Sequence, residues 1–103
     1  MLTVLGALAN VHRLRIIAAL QVAGRNYVSQ LARDVGLSRP LLHLHLRKLQ
    51  EAGLVRSQLE LSTNSKALNY FEVTEFLYEL SPLTIAQAVK SLTVKNSNPG
   101  DSE

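Results

Sequence analysis

Between Arg39 and Lys48 the chain carries three cations, Arg39, Arg47 and Lys48, with His43 among them and no acid before Glu51. A guanidinium fork holds a phosphate or a guanine edge through two parallel hydrogen bonds, which the point charge of lysine does not. This is chemistry for a polyanion, because each cation set on a phosphate releases condensed counterions. The wider charge distribution agrees. Residues 12–56 carry eight Arg or Lys against only Asp34 and Glu51, whereas acids outnumber bases in the remainder, and the net charge is +3. A solvated basic surface has the same composition, so charge alone does not separate the two readings.

Other chemistries lack their residues. There is no cysteine, which excludes disulfides, thiolate metal sites, thiol redox sensing and a cysteine nucleophile. His43 and His45 stand two apart, so on a helix they point about 200° from each other and cannot share an ion. His12 is distant in sequence and has no evident acidic partner. His45 is expected as a packed core histidine, and no metal or other cofactor is expected. Nothing resembles a glycine-rich phosphate loop or a nucleophile with its base, so no catalytic residues are assigned and an enzyme is not expected.

The elements that must position these cations follow from periodicity. Leu2, Leu5 and Leu8 recur at helical spacing and predict a short first helix. Asn10 suits the cap of a second helix over 11–22, with Leu14, Ile17 and Leu20 in the core and Gly24 ending it. Val28, Leu31, Ala32 and Val35 form one face of a third helix, for which Asn26 is a plausible cap and Gly36 a left-handed terminus. Ser38 caps a fourth helix with Pro40 in its first turn, running to about Ala52 and stopping at Gly53. After Gly53 the period changes to two. Residues 54–61 and 69–73 alternate around the polar loop 62–66, which predicts a β-hairpin. Ser81-Pro82 starts a last helix over 82–93.

Helix 28–35, a short break and helix 38–52 make a helix-turn-helix, which lays its second helix in the major groove. Ala32 falls where the two helices must approach closely, and Gly36 falls at the turn. The fold class expected is mostly α: a winged helix-turn-helix of about five helices with a two-stranded antiparallel wing. Residues 1–94 are expected to be a single domain, followed by a disordered polar tail over 95–103.

On these residues the chain resembles the ArsR/SmtB family of winged-helix transcriptional repressors. The resemblance lies in Ala9-Asn10-Val11-His12-Arg13-Leu14-Arg15-Ile16-Ile17, in the run from Gln30 to Pro40, and in the run from His45 to Val55. It implies DNA binding, pairing of two copies through their first and last helices, and release of DNA when an inducer binds. Metal-sensing members carry a cysteine pair before the recognition helix, where this chain has Val28-Ser29-Gln30-Leu31. Others carry Asp and His ligands on the last helix, where this chain has Ile85-Ala86-Gln87-Ala88-Val89-Lys90. Neither familiar metal site can form, and the inducer is unknown.

A helical wheel assigns the roles. Leu42, His45, Leu46 and Leu49 face the core. Pro40, Leu41, His43, Leu44, Arg47 and Lys48 face away, with Arg39 and Gln50 at the border. Arg39 and Arg47 suit guanine edges or phosphates, Lys48 a phosphate or solvent, and His43 a base or phosphate. Leu41 and Leu44 suit thymine methyl groups, unless a slight rotation packs Leu41 inside. Ser29, Gln30 and Arg33 suit the backbone. In the hairpin Arg56, Thr63, Asn64 and Lys66 suit the flanking groove or backbone. Leu2, Leu5, Leu8, Ile85, Ala88, Val89 and Leu92 are assigned to the dimer interface. Partners are therefore duplex DNA and a second copy of the chain. Residues 1–10 are apolar but lack a basic leader and a cleavage pattern, and no run approaches 18 apolar residues, so a cytoplasmic protein without a membrane partner is expected. The rival reading is a winged helix that binds protein, for which exposed Leu41 and Leu44 would also serve.

Overall fold

A computed structural model describes residues 1–61 and 66–92. The elements are α1 (Leu2–Leu8), α2 (Val11–Ala23), β1 (Asn26–Tyr27), α3 (Val28–Val35), α4 (Arg39–Glu51), β2 (Val55–Leu61), β3 (Ala67–Val73) and α5 (Pro82–Val89). The sheet is antiparallel in the order β1-β3-β2. The wing thus has a third strand, in which Asn26 pairs with Phe71 and Tyr27 with Tyr70. Two residues are too few to show an alternating pattern, which is why sequence reasoning passed over β1.

The local signals at the helix ends operate as expected. The Asn10 side-chain oxygen accepts from the backbone N–H groups of His12 (2.9 Å) and Arg13 (3.2 Å). Gly36 is left-handed at φ 70°, and Leu37 N–H donates to Ala32 C=O at 3.0 Å beside Gly36 N–H to Arg33 C=O at 3.3 Å. Gly53, at φ 75°, closes α4 with the same pair of bonds, Leu54 N–H to Leu49 C=O and Gly53 N–H to Gln50 C=O. Both ends are Schellman closures, which need a residue that enters the left-handed region without strain. Ser81 and Thr84 form a reciprocal capping box at the start of α5.

Two sequence-based expectations need correction. Asn26 does not cap α3; the cap position is Tyr27, without a side-chain capping bond. Asn26 is buried in β1, donates to Asp34 at 3.1 Å and accepts from Tyr27 N–H at 2.9 Å. The inward face of α2 is also not the one expected. Ile16 and Leu20 are fully buried, Ile17 is half-buried, and Leu14 is 51% exposed. Helix α2 is apolar on most sides, so its period does not select a face.

The core runs from Val4 and Ala7 of α1 through Ile16, Leu20, Leu31, Ala32, Val35, Leu42, Leu46 and Leu49 to Leu54, Val55 and Phe71. No residue of α5 is buried. No single helix among the described residues is long and apolar enough to cross a membrane. Helix α5 ends at Val89, short of the expected residue 93, because residues 90–92 are turn and coil. Thr63, Asn64 and the expected tail lie outside the described residues. Leu46→Ala removes a fully buried side chain and is expected to lower stability by about 2–5 kcal/mol. Val22→Ala, on a side chain 90% exposed, should stay within about 0.5 kcal/mol. Urea unfolding of both variants measures the contrast.

Candidate nucleic-acid interface

Helix α4 divides as its wheel requires. Leu42, His45, Leu46 and Leu49 are buried, while Arg39, Pro40, Leu41, His43, Leu44, Arg47 and Lys48 are all exposed. Leu41 is not rotated inward; it is 40% exposed and Leu44 is 49% exposed. The Ser38 hydroxyl accepts from Leu41 N–H at 3.4 Å, and Leu42 N–H donates to Ser38 C=O at 2.9 Å, so the helix begins immediately after the turn.

The basic residues of the first half separate into two kinds. Arg25 makes a bidentate pair with Glu60 (2.7 and 2.9 Å) and lies 4.3 Å over the Tyr70 ring. That hydrogen bonding raises the Arg25 pKa and lowers that of Glu60. Arg56 pairs with Glu72, its cross-strand neighbour, at 2.8 Å, which raises the Arg56 pKa. These exposed pairs neutralise Arg25 and Arg56 along the wing and contribute little stability. Among the described residues Arg39, Arg47 and Lys48 have no hydrogen-bonding or ion-pair partner. Three unpartnered cations therefore stand on the outward face of α4, and Arg15 on α2 and Lys90 just after α5 are exposed without such a partner as well.

The first motif helix, α3, is organised differently. Arg33 donates to Gln30 at 2.7 Å, Gln30 donates to Asp34 at 2.8 Å, and Asp34 accepts from Asn26 as well. Gln30 and Arg33 are thus held in a side-chain chain that already includes a carboxylate. Ser29 is half-buried. Lys66 is exposed at the approach to β3.

Arg13, one of the cations of the basic half, is half-buried and turned toward the protein's own groups. Its Nε donates to Ala7 C=O at 2.6 Å and its Nη2 to Gly6 C=O at 3.4 Å, so it closes the end of α1. Its Nη1 lies 3.2 Å from His45 Nδ1. A guanidinium only donates, so His45 Nδ1 is the acceptor and its imidazole is neutral. Burial lowers the His45 pKa, and the charges of Arg13 and His12 lower it further. The His12 ring is 5.5 Å from that of His45, although the two are far apart in sequence. The sequence signal for Arg13 was its place three and seven residues before Ile16 and Leu20, on the face that α2 buries. Among the described residues no group of three His, Asp or Glu could hold a metal ion.

Comparisons with known proteins bear on the same segment. The model of the bacterial regulatory protein, arsR family, matches residues 10–57. An uncharacterized HTH-type transcriptional regulator of Methanocaldococcus jannaschii is 39% identical over 72 residues, which cover 70% of this chain and 74% of the relative. Among solved structures, the homodimeric winged helix-turn-helix DNA-binding domain of a possible ArsR-family regulator from Mycobacterium bovis is 28% identical with a TM-score of 0.60. The match covers 69% of this chain and 60% of that one. NolR from Sinorhizobium fredii is 30% identical with a TM-score of 0.59, covering 85% of this chain and 78% of that one. The cadmium metal-sensor CMTR from Mycobacterium tuberculosis is 29% identical with a TM-score of 0.58, covering 96% and 95%.

The lowered His45 pKa has a consequence for stability. The unfolded chain takes up a proton at His45 more readily than the folded one, so stability is present above the ordinary histidine range and falls as pH drops through it. Unfolding midpoints in urea at pH 7.5 and 5.5 are expected to fall more steeply for the wild type than for His45→Gln, which does not titrate.

Proposed function

Because the chain belongs to the ArsR family of winged-helix, DNA-binding transcription regulators, we propose that it is a homodimeric repressor that reads a specific duplex with α4. The observation that carries this is the outward face of α4, where Arg39, Arg47 and Lys48 are exposed and without a protein partner. Arg39 and Arg47 hold guanine edges or phosphates, Lys48 a phosphate, and His43 a base or phosphate. Gln30 and Arg33 take the phosphate backbone from α3, and Lys66 and Asn64 take it from the wing. Repression follows from occupying a promoter and blocking polymerase.

Dimerisation is supported by apolar surface that this chain leaves uncovered. On α5 Leu83, Ile85 and Val89 are exposed, as are Leu2 and Leu5 on α1 and Leu92 just beyond α5. Ala88 is half-buried, and Leu8 packs partly on the chain's own core. An apolar cleft of about 160 Å³ opens between α1 and the segment before α5, lined by Val4, Leu5, Leu8, Tyr78 and Leu80 among others. A second copy covering α1 and α5 buries this surface and sets two α4 helices about one DNA turn apart, or 34–36 Å. The releasing signal is not a thiolate-bound metal, since the chain has no cysteine.

The exposed leucines of α4 favour a second reading, a protein-binding winged helix, and salt separates the two. Fluorescence anisotropy with a duplex from upstream of the protein's own gene should show tight binding at 50 mM salt that weakens steeply by 200 mM. Arg39→Ala with Arg47→Ala should abolish it, and Lys48→Ala should reduce the salt slope by about one. Binding indifferent to salt and to both arginines would sink the DNA reading. In sedimentation, Ile85→Glu with Val89→Glu should convert a dimer to a folded monomer with much weaker DNA affinity. A wild type that sediments as a monomer would remove the dimer.

A further inference from the structure

Two leucines stand where a soluble helix ordinarily presents polar side chains. Leu41 and Leu44 are 40% and 49% exposed, lie one turn apart in the first half of α4, and are not part of the buried core. Arg47 and Lys48 follow them one turn further along, Arg39 and His43 lie across the exposed side of the helix, and the first acid on the helix is Glu51, its last residue. Burying this patch against an ordinary protein surface would desolvate unpaired cations along with the leucines, which is costly. The major groove suits both. Phosphates on its flanks take the cations, and the C5-methyl of thymine is an apolar group on a base edge.

We propose that Leu41 and Leu44 are specificity-determining residues that pack on the methyl groups of two neighbouring thymines. The half-site under the first turns of α4 then contains adjacent A·T pairs, flanked by the arginine contacts. Residues three apart on a helix rise about 4.5 Å, and base pairs rise about 3.4 Å, so the two side chains meet neighbouring pairs. The N-terminal part of a recognition helix is also the part that reaches base edges. This inference rests on the DNA-binding reading above.

The test uses the full chain. Duplexes are enriched from a random library at low salt, and the best is resynthesised with deoxyuridine replacing each thymine in turn. Deoxyuridine keeps the base pair and removes only the methyl group. Two neighbouring positions in each half-site should lose about fourfold in affinity apiece, the ~0.8 kcal/mol of one buried carbon group at 1.4 kcal/mol per decade. Leu41→Ser with Leu44→Ser should bind thymine and uridine duplexes equally while keeping its salt dependence. If uridine is neutral everywhere in duplexes whose binding still needs salt-sensitive contacts and Arg47, the thymine inference falls and the DNA reading stands. If no duplex is enriched, the DNA reading falls with it, and the leucine patch belongs to a protein surface.

Discussion

The rotation of α4 about its own axis is the constraint on which the rest depends. Leu42, Leu46 and Leu49 are essentially fully buried, and His45 nearly so. Each buried leucine contributes roughly 1.5–3 kcal/mol relative to exposure, against a typical whole-domain stability of about 5–15 kcal/mol. Turning the helix by one residue, about 100°, would swing much of this stripe toward solvent and carry either Leu41, Leu44 and Lys48 or His43 and Arg47 toward the core. The outward set is therefore fixed by packing, not by any preference of the outward residues themselves. The Schellman closures at Gly36 and Gly53 fix where that helix begins and stops.

Electrostatics then divides labour among the cations. Arg25 and Arg56 brace the sheet by pairing with Glu60 and Glu72. Arg13, half-buried, ties carbonyls of α1 to the imidazole on the inner face of α4. On α4, Arg39 near its start and Arg47 and Lys48 near its end remain without a hydrogen-bonding or ion-pair partner. The positive character of the first half is thus less a uniform coat than a mixture of neutralised pairs and exposed cations, three of them on α4.

Much of this was legible in the sequence, and the exceptions have physical causes. Helices α3 and α4 were plain because their apolar residues keep one face and glycine marks each end. The split of α4 into buried and exposed sides followed from the wheel alone. Helix α2 misled because alanine, leucine, isoleucine and valine surround most of it, and its buried side is chosen by what packs there. Strand β1 is two residues long and exists only because Phe71 and Tyr70 pair with it. Arg13 was hidden because an arginine that bonds within its own fold is identified by its acceptors, and two of these are backbone carbonyls that no sequence pattern announces.

The length of α4 also limits how much sequence a half-site can specify. From Arg39 to Lys48 the helix rises nine residues, about 13.5 Å, or roughly four base pairs of duplex. Two copies would then inspect about eight pairs, a word that recurs by chance once in ~65,000 positions among the 10⁶ or more competing sites of a genome. Side chains on one helix therefore carry too little information to single out a promoter. The remaining discrimination must come from the wing, from the fixed distance between two half-sites, or from how readily the intervening DNA deforms.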